Sequence, residues 1–99
     1  MHADWPKLIN AVDRAIHSLE KSEAGGARIH LRAAEHTAEN ISKHGSGEEK
    51  TTAASVLPIV HKAAHTIDAK KALEVLKGAE SLLSRMRMAV ASLPPAPPK

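Results

Sequence analysis

The chain has 99 residues, enough for one domain and too few for two. It holds no cysteine, a single aromatic residue (Trp5) and a net charge of +3. Disulfides, thiolate metal sites and cysteine nucleophiles are therefore excluded. The apolar content is mostly alanine, leucine, isoleucine and valine, which suits closely packed helices and argues against an aromatic-rich β-sandwich.

Acids and bases are interspersed along the chain, so the positive surplus reads as solubility and forms no nucleic-acid footprint. No apolar run approaches the length of a membrane span. The opening residues MHADWPKLIN lack the charged start and apolar centre of a signal peptide. Either the protein stays in the cytoplasm or an export segment has been removed, and the sequence does not choose between the two.

Asp4 is placed to cap a first helix, and Pro6 fits its first turn, where no amide donor is needed. Apolar residues then recur at Trp5, Leu8, Ile9, Val12, Ala15, Ile16 and Leu19, a helical period that predicts a helix over 5–23. Gly25-Gly26 is expected to break it. A second stripe at Ala27, Leu31, Ala34, Ala38 and Ile41 predicts a helix over 27–43, closing at Gly45. Ser46 and Glu49 have the spacing of a capping box.

The third stripe is Ala53, Val56, Leu57, Val60, Ala63, Ala64 and Ile67, predicting a helix over 47–67 kinked at Pro58. Asp68 is a candidate cap for the fourth helix, over 69–92, with its stripe at Ala72, Leu76, Ala79, Leu83, Met86 and Val90. The bundle would occupy 1–93, and the proline-rich tail 94–99 is expected to be extended. The first and third stripes superpose at an offset of 48 residues, the second and fourth at 45. With short turns, the expectation is an all-α, up-down-up-down four-helix bundle made of two similar helical hairpins. Trp5, Val12, Leu31, Val60, Leu76 and Leu83 should lie inside.

Every position on the core seam is apolar, so a buried metal, haem or acid–base site has no candidate ligands and no enzyme activity is expected. The seven histidines are the unusual feature. With Val12 and Val60 at heptad position a, His17 and His65 fall at f and His61 at b, all facing outward. His61, His65 and Asp68 stand at i, i+4 and i+7 and would line one ridge. Imidazoles at i, i+4 have Cβ atoms about 5–6 Å apart, near enough to share one Cu²⁺, Ni²⁺ or Zn²⁺ ion. Asp13, His17 and Glu20 form the corresponding ridge of the first helix. On the second, His36 has Glu39 one turn away, and His30 and His44 flank them. The plain alternative is solvated surface without function.

The stretch AVDRAIHSLEKSEAGGARIHLRAAEHTAENISKHG resembles the small histidine-rich metal-binding proteins of ammonia-oxidising bacteria. That resemblance covers about a third of the chain and reaches the rest only through the internal repeat. It implies a periplasmic four-helix bundle that takes up copper and other divalent ions through surface histidines. Its ligands would be His17, His30, His36, His44, His61 and His65.

Two other readings compete. Histidine phosphotransfer domains look like His-x-Leu-Lys-Gly on a helix face; here Glu74 takes the histidine position before Lys77 and Gly78, which suggests a degenerate domain. A helical protein–protein interaction module is the other reading, through Met86, Met88 and Val90 of the fourth helix or the Pro-x-x-Pro-x-Lys match in the tail. Metal ions are the expected partners in the leading reading, with no nucleic acid or membrane.

Overall fold

The structure, a computed structural model, describes residues 4–45 and 47–91. They form four helices and no strand: α1 (Trp5–Glu20), α2 (Ala24–His44), α3 (Glu48–Ala64) and α4 (Ala69–Ala91). Each helix packs on its chain neighbours, and α4 closes the ring against α1. Connections of three or four residues force consecutive helices antiparallel, giving an up-down-up-down bundle.

The six expected interior residues are all fully or almost fully buried, and no charged or polar side chain is buried among the described residues. The two hairpins repeat one another in burial. Ala27, Leu31, Ala34, Ala38 and Ile41 of α2 are buried, and so are Ala72, Leu76, Ala79, Leu83 and Met86, their counterparts in α4. The starts of these helices, Ala24 and Ala69, also correspond at the offset of 45. Correspondence between α1 and α3 runs from Trp5 with Ala53 to Ala15 with Ala63, then fails: Leu19 is buried, while Ile67 is 84% exposed.

That failure comes from an earlier end to α3 than the stripe predicts. The His65 N–H is shared between the carbonyls of His61 and Lys62, each at 3.2 Å, and the Thr66 N–H turns back to Ala63 at 3.1 Å. Such tightening satisfies orphan carbonyls at a helix end. Asp68 then takes up the start of α4, accepting from the Lys70 N–H at 2.9 Å and the Lys71 N–H at 3.3 Å. A cap residue lies outside helical geometry, so Asp68 cannot also extend α3.

The first turn is also built differently from expectation. Gly25 and Gly26 do not end α1; they lie in the first turn of α2. Helix α1 closes at Ser22, which has φ +61°, through Ser22 N–H to Leu19 O at 2.9 Å and Glu23 N–H to Ser18 O at 2.8 Å. This is the Schellman pattern with serine at the left-handed position that glycine usually takes. In the α2–α3 turn the glycines are required: Gly47 has φ +60°, and a Cβ on Gly45 would come within 2.6 Å of the Ile41 carbonyl oxygen.

Two caps differ as well. Asp4 stands at the N-cap of α1 but makes no side-chain cap bond; its carboxylate accepts from Asn40 Nδ2 at 2.6 Å, joining α1 to the end of α2. The N-cap of α3 is Gly47, one residue later than a Ser46–Glu49 capping box requires. Glu49 accepts from Trp5 Nε1 at 2.7 Å. Helix α3 runs unbroken through the exposed Pro58, so no separate helix starts there. Ser46 itself, the Val90 side chain and the proline-rich tail lie outside the described residues.

Candidate functional site

The last turn of α3 carries His61, and His65 follows it as the C-cap with φ −98° and ψ 4°, near enough to helical geometry to keep the i, i+4 relation. Both are exposed, and their ring centroids stand 4.5 Å apart with the planes tilted by 57°. His61 is also held from the neighbouring helix. Its Nδ1 lies 2.6 Å from Oε1 of Glu35, which is partly buried on the flank of α2. With Nδ1–H donating to that carboxylate, Nε2 is the nitrogen left with a lone pair.

Asp68 does not complete this pair as the ridge predicted. Ending α3 at Ala64 takes Asp68 off the helical row, and its Oδ1 is engaged by the α4 amides. The corresponding ridge on α1 is altered too. Asp13 binds Arg87 of α4 through two bonds of 2.7 and 2.9 Å, and Arg87 reaches Glu80 at 2.7 Å. The Asp13 hydrogen bond, more than the surrounding charge, raises the Arg87 pKa further above its ordinary value. His17 and Glu20 remain exposed on α1.

The α2 histidines divide between two faces. His36 and His44 line a shallow depression of about 140 Å³ with Glu39, Asn40 and Lys43. There Glu39 pairs with Lys43 at 2.9 Å, and the Lys43 hydrogen bond and charge hold its carboxyl below the ordinary carboxylate range, with a smaller contribution from His36. His30 lies half-buried in a groove between α1 and α2, beside Lys7, Asn10, Ala11, Arg14 and Ala33. Among the described residues no three histidine or carboxylate side chains gather closely enough to surround a metal ion. Among the described residues, His61 and His65 are the histidines whose rings meet, and Glu35 contacts the first of them.

No protein-family model, curated protein or solved structure matches this chain.

Glu35 is the residue that the sequence pattern passed over. It follows core residue Ala34, so it sits at the edge of the α2 stripe, where it can reach α3. Its partner is 26 positions away, and no spacing rule within one helix links them. Only pairing the flanks of α2 and α3 across the bundle would have brought the two together.

Proposed function

We propose that the protein binds a divalent transition-metal ion through His61 and His65, with Glu35 orienting the His61 ring. The supporting observation is the 2.6 Å contact between Glu35 and His61 Nδ1 beside a second imidazole 4.5 Å away. Histidines that ligate metals commonly give their other N–H to a carboxylate, which sets the tautomer and strengthens the donor nitrogen. Two imidazoles leave most coordination positions to water, which suits an exchangeable ion held for buffering or sequestration. Imidazole ligands favour Cu²⁺ and Ni²⁺, with Cu²⁺ at the head of the affinity order and Zn²⁺ behind it.

Titration calorimetry with Cu²⁺, Ni²⁺ and Zn²⁺ tests the proposal. The native protein should show one site tighter than the rest, and His61→Ala with His65→Ala should remove it. Glu35→Gln should weaken it by about 10–100-fold, the usual cost of losing such a partner. Equal binding by native protein and double variant would make the pair ordinary surface. A second reading, as an interaction module, has support from Met88, 74% exposed on α4, and Ile29, 70% exposed on α2.

A further inference from the structure

The groove between α1 and α2 is lined by donors. Lys7, Asn10 and Arg14 approach it from α1 and His30 from α2, while Ala11 and Ala33 line it with methyl groups only. It has a volume of about 240 Å³. No carboxylate lines it. The nearest acid contact is a loose one, Lys7 Nζ to Asp4 Oδ1 at 3.9 Å. Arg14 and His30 make no ion pair or side-chain hydrogen bond among the described residues, which leaves the Arg14 charge without a described carboxylate partner.

The other hairpin provides an internal comparison. At the offsets of 48 and 45, Lys7, Asn10, Ala11, Arg14, His30 and Ala33 correspond to Ser55, Pro58, Ile59, Lys62, Val75 and Gly78. There Ile59 reaches across to Gly78, where an added Cβ would stand 3.8 Å from Ile59 Cδ1. Ile59 and Val75 are partly buried against the core. One inter-helix groove is filled with apolar side chains, and the other is shallow-walled and rimmed by cations.

We infer that the α1–α2 groove is an anion site for a phosphate or diphosphate group, held by Lys7, Arg14, Asn10 and His30. Lys7 and Arg14 are seven residues apart, a rise of about 10 Å along the helix. Their long side chains can converge on one group or hold the two ends of a diphosphate, with Asn10 between them. An arginine fork matches phosphate oxygens in two bonds, and lysine adds a point charge. The small Ala11 and Ala33 side chains leave room for the anion to approach the helix surfaces. The site is open to water, so screening keeps it weak and salt-dependent.

Calorimetric titration with inorganic pyrophosphate at low ionic strength tests the site, on the full chain without added metal. Binding should appear for the native protein and fall at least tenfold in a Lys7→Gln, Arg14→Gln variant. Lys62→Gln, at the position corresponding to Arg14, should leave it unchanged. All three positions are exposed, and circular dichroism checks that the fold is retained. A parallel arm uses vesicles containing a phosphoinositide. Arg14-dependent retention on vesicles identifies the phosphate source as a lipid headgroup; pyrophosphate binding alone identifies a soluble one. Absence of binding in both arms, or equal losses from Lys62→Gln and the double variant, overturns the inference.

Discussion

The indole of Trp5 is fully buried, and its N–H is satisfied by Glu49 across the α1–α3 diagonal at 2.7 Å. A buried indole donor needs such a partner. Glu49→Ala should therefore cost about 1–3 kcal/mol, the penalty for stranding a buried donor. A denaturant titration checks it; an unchanged midpoint would mean that water replaces the carboxylate without loss. Ser22 predicts the opposite sign. A non-glycine residue at positive φ costs on the order of 1 kcal/mol, so Ser22→Gly should stabilise the protein and raise Tm by several degrees. The sequence displayed the burial of Trp5 through its place in the first stripe. It did not display the Glu49 bond, because its partner lies 44 positions away on another helix, beyond any local spacing rule.

At the scale of helices, the apolar stripes located all four, because a 3–4 period has no other physical reading at these lengths. The ends were harder. Gly25-Gly26 is a breaker by propensity, yet the first turn of a helix tolerates glycine, and the closing bonds of α1 form at Ser22 and Glu23 before the pair is reached. Likewise the stripe continues to Ile67, but Asp68 draws Thr66 and Ile67 into a connection. Asp68 thus separates two roles that sequence spacing left open. Asp68→Ala should lower stability by about 1 kcal/mol, while Asp68→Asn, a good cap, should not. Neither should change metal affinity by more than about twofold, since measured affinities at a site follow its ligands and their partners. A large loss of affinity in both variants would restore Asp68 as a ligand.

For the whole molecule, the same division explains how much of the site was legible. His61 lies in the last turn of α3 and His65 is its C-cap, so their proximity follows from spacing; Glu35 lies on α2, so its contact with His61 emerges only after the helices pack. Because no polar side chain is buried among the described residues, chelator treatment should leave the thermal midpoint unchanged within a few degrees. The α1–α4 seam behaves differently, being tied at its surface by Arg87 between Asp13 and Glu80. These groups are partly exposed, so Arg87→Ala should cost no more than about 1 kcal/mol, with the difference shrinking in concentrated salt. Glu39 adds a small pH dependence. Its lowered pKa means its pairing with Lys43 stabilises the fold above the ordinary carboxylate range and is lost as pH falls through the folded value.

Electron paramagnetic resonance of the protein loaded with one equivalent of Cu²⁺ tests the metal-binding proposal most directly. The spectrum at neutral pH should carry splitting from two imidazole nitrogens, and it should fade on acidification, as protons compete with the metal for its nitrogen ligands. The His61→Ala, His65→Ala protein should lose that signature while keeping its helical circular dichroism. The same two-nitrogen spectrum in the double variant, or the spectrum of hydrated Cu²⁺ in the native protein, would contradict the assignment of this pair as the metal site.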